Sequence, residues 1–535
     1  MPLARTRSVT LVGVTGHLIE VEADLGIGVP AVIVVGLPDA AVSEARDRVR
    51  AAIVNSGHDW PQRRITLGLS PAALPKRGSS FDLALAVAVL AASAVVPPAR
   101  VATSVFLGEL GLDGRIRPVR GVLPSVLAAV AAGHRLVVVP SANAAEAGLV
   151  PGVTVVGAAH LRHLTAWLRG EISSAALDDL ALAASAEPPD EADRSDVEEQ
   201  PVRTSASSAD TTSDSLVGDL ADVRGQGEAR YAVEVAAAGG HHVLMYGAPG
   251  TGKSMLAMRL PGLLPALSRA DALEVTAIHS VAGTLPADAP LLEHPPFQDP
   301  HHTASVPAVL GGGTTAARPG AVSLAHRGVL LLDEAPEFSV AVLEGLRQPM
   351  ERGSIVIARS GASVRFPARF QLVLTANPCP CGLAAGGGVD CRCTPSARRR
   401  YAARLSGPVL DRVDIRQAVV APSRAALATD EPEGSAVVRG RVALARERQA
   451  RRLAGTPWTC NADVPGPLLR RAFPPDPAAA ALTEDQLRCG ALTARGADRA
   501  IRVAWSVADL RGVDRPTLSE MHTALGLRGA AMVAA

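Results

Sequence analysis

A short stretch near the middle of the chain has the composition and spacing of a phosphate-binding loop. Its residues follow the pattern G-x-x-x-x-G-K-[ST], and they are Gly247, Ala248, Pro249, Gly250, Thr251, Gly252, Lys253 and Ser254. An apolar run typical of a buried strand, 242–246, precedes them, and a helix-like segment, 255–260, follows. Lys253 would reach the β- and γ-phosphates, and the Ser254 hydroxyl would ligate Mg²⁺. The pattern in this context predicts a nucleotide site with ATP and Mg²⁺ as cofactors.

Two adjacent carboxylates end a second strongly apolar segment. Residues 328–332 are glycine and aliphatic residues, and Asp333 and Glu334 follow them directly. At the end of a buried strand, Asp333 would bind Mg²⁺ and Glu334 would polarise the attacking water. A strand that ends in solvated acids is common by itself, but about 80 residues after a phosphate loop the catalytic interpretation is favoured.

Polar and basic residues with further catalytic potential follow. The strand-like segment 371–376 ends at Asn377, which fits a sensor-1 residue that orients the lytic water, although a single asparagine also suits a turn. Arg412 is placed where an arginine finger would enter a neighbouring subunit's site, with Arg404 as the second candidate. Arg495 begins a helix of the last domain and suits a sensor-2 role. Taken in this order, the motifs predict an AAA+ ATPase, and a finger supplied by a neighbour implies a ring.

Four of the six cysteines are crowded together and form a candidate metal site. Cys379 and Cys381 make one C-x-C pair, and Cys391 and Cys393 make another. Four thiolates on a short loop fit a structural, tetrahedral Zn²⁺, although zinc sites more often use C-x-x-C pairs. Unligated thiols or a redox-labile loop are the alternatives.

The elements that must position these residues divide the chain into four parts. Residues 1–170 alternate strand-like and helical segments and predict an α+β domain, whereas residues 171–215 are acidic and Ser/Thr-rich and predict a disordered linker. Residues 216–425 carry the motifs and predict an α/β fold, the P-loop AAA+ core. Residues 426–535 predict a helical C-terminal lid that carries Arg495 over the nucleotide.

Charge and hydropathy restrict the surroundings of the protein. The formal net charge of +1 argues against a protein that coats nucleic acid, while it leaves room for local basic patches. The longest apolar run, 83–96, is shorter than the ~20 residues that a membrane span needs. The chain begins without the features of a secretory signal, so we expect a cytoplasmic protein with no membrane partner.

Three segments of the first domain resemble the Lon-protease-like, ribosomal-S5-type domain that precedes some ATPases. They are residues 35–39, 78–84 and 108–114. Ser80 falls near the position of the Lon-type nucleophile, but residues 120–125 carry no lysine where that family has its base. A serine without a base is not activated, so a non-proteolytic domain is expected, with Ser79 and Ser80 as a helix cap.

Segments around the ATPase motifs support a narrower resemblance. Residues 297–305, 311–313, 319–328 and 346–353 closely resemble the ComM/YifB family of bacterial magnesium-chelatase-like AAA+ ATPases. The resemblance implies a homo-hexameric, ATP-driven DNA motor that promotes branch migration when incoming DNA is integrated. The magnesium chelatase I-subunit shares the ATPase core without the first domain, which argues against a role in a pigment pathway. A chelatase-like or protein-remodelling ATPase that does not act on DNA is the alternative.

A predicted β-hairpin lies just before the strand that ends at Asn377. Residues 354–358 and 362–366 alternate as strands, with Arg359 at the start of the turn. The hairpin resembles the pore hairpins of helicase-type AAA+ rings, so Arg359 would contact the phosphate backbone of single-stranded or branched DNA. An exposed hairpin with an ordinary charged turn is the alternative. His301 and His302 are expected to organise a second pore loop rather than to bind metal.

Overall fold

The computed structural model describes residues 3–36, 40–76, 78–185, 218–286, 290–313, 317–359, 362–384 and 390–529. The first part of the chain forms a sheet with the strand order β3-β4-β2-β1-β5-β8-β9, in which β1, β2 and β4 are antiparallel neighbours and the other pairs are parallel. The strands of this part, including the small hairpin β6–β7, are β1 (Leu3–Val12), β2 (Thr15–Gly26), β3 (Ala31–Val35), β4 (Arg64–Ser70), β5 (Ser104–Phe106), β6 (Glu109–Leu110), β7 (Ile116–Arg117), β8 (Leu136–Pro140) and β9 (Thr154–Ala158).

One helix of this first domain, α2, is buried along its whole length. Its residues are apolar except for Asp82, whose carboxylate accepts a hydrogen bond from Arg48 Nε at 2.8 Å. Burial raises the pKa of Asp82 to about 6, and the Arg48 guanidinium opposes that shift. The helices of the domain are α1 (Ala40–Asn55), α2 (Asp82–Ala92), α3 (Pro98–Val101), α4 (Val122–Ala131), α5 (Ala144–Ala147), α6 (Leu161–Arg169) and α7 (Ser174–Ser185).

Helix α7 corrects the predicted start of the linker. It occupies residues that the composition assigned to the disordered segment 171–215, and its Leu177 is buried in the apolar cluster of the first domain. A leucine and alanine face was enough to bind this helix to the domain, although the acidic residues around it dominate the local composition. The first domain therefore continues to residue 185. Residues 186–217 lie outside the described part of the chain.

The second part forms a five-stranded parallel sheet with the order β11-β12-β15-β10-β16. Tyr246 pairs with Ala376 and Leu332 with Leu374, so the carboxyl ends of β10, β12 and β15 lie side by side. Residues that follow these three strands must therefore meet at one edge. The strands are β10 (Val243–Tyr246), β11 (Phe297–Gln298), β12 (Val329–Leu332), β15 (Gln371–Ala376) and β16 (Ile415–Ala418), and the separate hairpin is β13 (Ser354–Arg359) with β14 (Ala362–Pro367).

Helices cover this sheet and continue into the C-terminal region. In the second part they are α8 (Gly227–Gly239), α9 (Lys253–Arg259), α10 (Arg269–Ala282), α11 (Val306–Leu310), α12 (Ala321–Leu324), α13 (Val340–Gly345), α14 (Arg347–Arg352), α15 (Pro395–Ala403), α16 (Gly407–Leu410) and α17 (Arg424–Thr429). Short 3₁₀ turns are Ser141–Asn143, Leu220–Asp222, Pro261–Leu263, Ala335–Glu337 and Asn461–Asp463.

The C-terminal region is helical, as predicted, and it shares one apolar core with the parallel sheet. Val503 and Trp505 of α21 belong to the same buried cluster as Val243 of β10 and Ile415 of β16. A buried ion pair, Arg452–Asp509 at 2.6 Å, ties two of its helices together. Its helices are α18 (Ser435–Arg452), α19 (Gly466–Ala472), α20 (Pro477–Arg488), α21 (Ala494–Arg511) and α22 (Leu518–Leu527).

The first domain contacts the second part through α4 and α10. The buried Glu146 carboxylate accepts hydrogen bonds from the Leu123 N–H at 2.8 Å and from the Ser280 hydroxyl. The Gly121 N–H donates to the Ser280 carbonyl at 3.1 Å. Within the described residues, none of the helices combines the length and apolarity that crossing a membrane requires.

Candidate ATP site

The loop between β10 and α9 has a backbone that its glycines make possible. Gly250 and Gly252 have φ values of 75° and 89°, which residues with a Cβ rarely adopt. At Gly247, an added Cβ would lie 2.1 Å from the Val419 carbonyl oxygen. The glycines of the sequence pattern are therefore steric requirements of this loop.

Lys253 joins the loop to the predicted sensor residue. Its Nζ donates to the carbonyl oxygens of Gly247 at 2.9 Å and Ala248 at 2.8 Å, and to Asn377 Oδ1 at 3.1 Å. Burial lowers the pKa of Lys253, and the nearby Asp333 carboxylate opposes that shift. The ammonium group is thus placed where a phosphate held by the loop would meet it.

Asp333 lies next to the other predicted Mg²⁺ ligand. Ser254 Oγ donates to Asp333 Oδ1 at 2.8 Å and Thr375 Oγ1 donates to the same oxygen at 2.5 Å. Thr375 Oγ1 also accepts the Glu334 N–H at 2.8 Å. Hydroxyl and carboxylate oxygens are the ligands that Mg²⁺ prefers, so Ser254 and Asp333 fit this ion. Thr375 was not predicted; its signal is a polar residue two positions before Asn377, on the same face of the strand, after the apolar run 372–374.

Glu334 has an unusual backbone. Its φ of 52° is in the left-handed region, which few residues other than glycine adopt. Strain of this kind is concentrated at functional sites, where it fixes the direction of a side chain. The side chain is exposed, so water can reach its carboxylate. The arrangement suits a residue that polarises a water molecule.

Two further residues border the site and were not identified individually from the sequence. Asp299 follows β11, the strand that pairs with β12. Its side chain is solvent-accessible. Desolvation by the surrounding protein and the negative charge of Asp333 nevertheless raise the pKa of Asp299. Gln226 precedes α8, and its Nε2 donates to the Thr251 carbonyl at 2.6 Å. The sheet topology and a loop contact bring these residues to the site, and neither is visible in a local motif.

The structure separates the predicted finger Arg412 and the predicted sensor-2 residue Arg495 from the phosphate loop of their own chain. Arg412 pairs with Glu351 and lies just before β16, at the amino end of a strand parallel to β10. Arg499, one helical turn after Arg495, donates to Asp414 at 2.5 Å and to the Arg412 carbonyl at 2.9 Å. Both candidates thus belong to the edge of the sheet opposite the loop.

This placement corrects the expectation that the lid holds Arg495 over the nucleotide of the same chain. The reason is that α21 packs against α8 and the amino ends of β10 and β16 through apolar contacts that the helical pattern alone did not orient. Arg404 differs from both, because its Nη1 donates to the Pro336 carbonyl at 2.7 Å, directly after the strand that ends at Asp333.

Comparisons with known proteins agree with this architecture. Residues 219–427 match the family model described as magnesium chelatase, subunit ChlI, residues 21–143 match subunit ChlI of Mg-chelatase, and residues 432–528 match the ChlI C-terminal model. An uncharacterized protein of Mycobacterium tuberculosis is 51% identical over 99% of this chain and 99% of its own length. The competence protein ComM of Haemophilus influenzae is 38% identical over 99% of this chain and 98% of its own length. The uncharacterized protein YifB of Escherichia coli is 38% identical over 99% of this chain and 97% of its own length. The chain belongs to the ComM/YifB family.

Members of the ComM/YifB family carry a magnesium-chelatase-type AAA+ domain, which implies the use of ATP and Mg²⁺. The residues at the loop fit both. Lys253 offers a cation to the phosphates, and the contact between Ser254 and Asp333 offers two oxygen ligands to the metal. The family match also extends into the first domain, whose resemblance to Lon-type domains stays a prediction.

The four predicted cysteine ligands meet beside this site. The sulfur atoms of Cys379, Cys381, Cys391 and Cys393 all lie within 4.8 Å of one another. Three of the sulfur pairs are separated by 3.3, 3.5 and 3.6 Å. A Zn–S distance of about 2.3 Å in a tetrahedron requires sulfurs about 3.8 Å apart. The cluster therefore has close to the spacing that four-coordinate zinc needs.

The predicted β-hairpin is present, and its buried side faces the first domain. Arg359 pairs with Ala362 in the backbone, while its side chain and residues 360–361 lie outside the description. Val364 of β14 is buried, and a Cβ on Gly13, in the turn between β1 and β2, would lie 2.9 Å from the Arg365 carbonyl oxygen. The first domain thus supports the hairpin whose tip is the predicted DNA contact. His301 and His302 stack on each other with ring centroids 4.1 Å apart, which agrees with a role in ordering their loop.

Proposed function

We propose that the protein is a ring-forming ATPase that couples ATP hydrolysis to DNA translocation and branch migration. The observation that carries the ATPase part is the convergence of Lys253, Asp333, Glu334 and Asn377 at one edge of the parallel sheet. This set contains a phosphate-binding cation, a metal ligand, a base that polarises water and an amide that orients it.

We infer a ring because the edge that carries Lys253 lacks Arg412 and Arg495, the predicted finger and sensor-2 residues. Arg412 and Arg495 lie at the opposite edge of the same sheet, so in a single chain neither reaches the γ-phosphate. A closed ring of identical subunits, a hexamer by the family resemblance, brings one subunit's arginine edge to the next subunit's phosphate loop. We assign Arg412 as the finger and Arg495 as a second residue acting on the neighbouring nucleotide, with Arg404 as the alternative finger.

Mixing two inactive variants tests this arrangement. Arg412→Ala and Lys253→Ala are each expected to lose most ATP turnover, since an arginine finger contributes about 10³-fold or more. In a random one-to-one mixture, about a quarter of the sites combine an intact Lys253 with an intact Arg412 from the neighbour. Turnover in the mixture should therefore recover toward that fraction.

The matched control is a mixture of Arg404→Ala with Lys253→Ala. Recovery in that mixture, with full activity retained by Arg412→Ala alone, would reassign the finger to Arg404. A mixture that stays as inactive as its components, although co-purification of differently tagged variants shows mixed rings, would contradict a finger supplied in trans.

The DNA part of the proposal has two supports. A relative of 38% identity that matches nearly the whole chain is named competence protein ComM. In the sequence, the β13–β14 hairpin connects β12 to β15, the strands that precede Asp333 and Asn377, so both of its ends continue from the nucleotide site, and Arg359 adjoins its tip. One phosphate contact per subunit, repeated around a ring, gives substantial affinity for a nucleic-acid backbone.

The expected effect of Arg359→Ala is a loss of DNA-stimulated ATPase activity without a loss of basal activity. The substitution removes a cation at the hairpin tip and leaves the ATP site unchanged. ATPase rates are measured with and without branched DNA at two salt concentrations, because phosphate contacts weaken as salt rises. Arg352→Ala, at the exposed end of α14, is the control and should keep its stimulation. Full stimulation in Arg359→Ala would remove this residue from the DNA contact.

A second candidate function is a chelatase-like or protein-remodelling ATPase without DNA activity. Matches of residues 21–143, 219–427 and 432–528 to magnesium chelatase subunit models favour it. An ATPase rate that no form of DNA changes would select this candidate.

The remaining assignments concern the first domain, the metal and the location. The first domain is proposed to be Lon-like and non-proteolytic, because residues 120–125 carry no lysine to act as a base for Ser80, and the buried Lys76 ammonium donates a hydrogen bond to the Pro71 carbonyl. The cysteine cluster is proposed to hold a structural Zn²⁺, which metal analysis of protein purified under reducing conditions tests. A DNA motor of this kind would act in the cytoplasm.

A further inference from the structure

The cysteine cluster is attached to the ATP site at three points. The first is covalent, since Cys379 follows Asn377 with one residue between them, and both continue directly from β15. Cys379 is completely buried, so its sulfur is fixed by the surrounding protein. Movement of this sulfur would move the amide that contacts Lys253 at 3.1 Å.

The second attachment is to the phosphate loop. The turn after Cys379 is closed by a hydrogen bond from the Gly382 N–H to the Cys379 carbonyl at 2.9 Å. Gly382 packs so closely on Pro249 that an added Cβ would lie 2.3 Å from the proline Cγ. The turn that contains Cys381 is thus in direct contact with the middle of the loop.

The third attachment returns from the far side of the cluster. Helix α15 begins two residues after Cys393, and its buried Tyr401 lies beside the backbone of Asn377. The next residue after this helix, Arg404, contacts the Pro336 carbonyl at 2.7 Å. Both ends of the cysteine loop are therefore anchored on the catalytic edge, and the four sulfurs close the loop between them.

We propose that a Zn²⁺ ion on Cys379, Cys381, Cys391 and Cys393 positions Asn377 and the phosphate loop, so that ATP turnover depends on this metal. The ion would act as a positioning centre that touches neither the nucleotide nor the attacking water. With the ion bound, the two C-x-C pairs are held together and the Gly382 turn is pressed on Pro249. Without it, the pairs separate and the sensor amide loses its fixed place. The inference rests on the proposed ATPase function.

The test compares variants of the far cysteine pair, which leave Cys379 unchanged. In the full-length chain, the double variant Cys391→Ser with Cys393→Ser should lose its zinc and lower kcat about tenfold or more, because small displacements of catalytic groups have effects of this size. Binding of a fluorescent ATP analogue should change less than threefold, since the loop glycines and Lys253 remain. The single variant Cys393→His keeps Cys391 and places an imidazole where the double variant has no zinc ligand. It should therefore have both the bound metal and the kcat of the parent. Cys489→Ser, an exposed cysteine outside the cluster, is the control and should change neither.

Reversible metal removal from the parent protein tests the same claim without any substitution. A zinc-selective chelator in excess Mg²⁺ should lower kcat, and added Zn²⁺ should return it, with the melting temperature followed in parallel. Parent protein that is purified without zinc under reducing conditions, or zinc-free protein with unchanged kcat, would overturn the inference. A parent that fails to hydrolyse ATP with zinc bound would instead refute the proposed function.

Discussion

Replacing Lys253 with alanine is expected to abolish ATP turnover and to weaken ATP binding strongly. The Lys253 ammonium donates to two loop carbonyls and to Asn377, where a phosphate held by the loop would meet it. Removal of one such preorganised charge-stabilising group costs about 10²- to 10³-fold in kcat. Steady-state ATPase rates and binding of a fluorescent ATP analogue measure the two effects separately.

The composition of the chain sharpens this prediction. Lys76 and Lys253 are its two lysines, and every other strongly basic residue is arginine. A compact ammonium with three donors fits the enclosed position at the loop, whereas a planar guanidinium is larger and has a fixed donor geometry. We therefore expect Lys253→Arg to fail as well. Met258→Ala, on the exposed side of the same helix, is the control and should retain turnover. Near-normal turnover in Lys253→Ala would show that ATP is not hydrolysed at this loop.

The second large effect is expected for Glu334→Gln, which should bind ATP and fail to hydrolyse it. The substitution keeps the size of the side chain and its left-handed backbone but removes the carboxylate that polarises water. General-base contributions of this type amount to about 10²- to 10⁴-fold. The variant should also accumulate as a ring with ATP bound, because hydrolysis of the γ-phosphate bond is blocked.

Glu337→Gln is the matched control for this variant. Glu337 lies three residues further on, is also partly exposed, and pairs with Arg404 at 3.3 Å. The same chemical change at this position should leave turnover within about threefold, as expected for a surface ion pair. If Glu334→Gln hydrolyses ATP as fast as Glu337→Gln, another group activates the water.

The sequence predicted the parts of the site that follow directly from strand ends. Asp333 and Asn377 directly follow buried apolar strands, Lys253 follows another through the phosphate loop, and parallel strands place such residues at one edge. Thr375 and Asp299 were missed because their roles depend on which strands are neighbours. That order is set by packing of the whole sheet, so the polar Thr375 before Asn377 gains its meaning only once β15 is known to lie beside β12.

The structure differs from two predictions for a related reason. Arg495 was assigned to its own chain's nucleotide from its position in the sequence, whereas apolar contacts of α21 place it at the opposite edge of the sheet. The linker was assigned by acidic composition, whereas Leu177 holds α7 on the first domain. In both cases the direction of a helix's apolar face determined where that helix packs, and composition does not show this direction.

ATP-dependent branch migration on a synthetic branched DNA, with the parent protein beside Lys253→Ala, shows whether the ATPase drives DNA movement. We expect the parent to move the branch only when ATP and Mg²⁺ are present, and Lys253→Ala not to move it. A parent that hydrolyses ATP at full rate yet never moves the branch would contradict a DNA motor. That result would direct attention to a protein substrate recognised by the first domain.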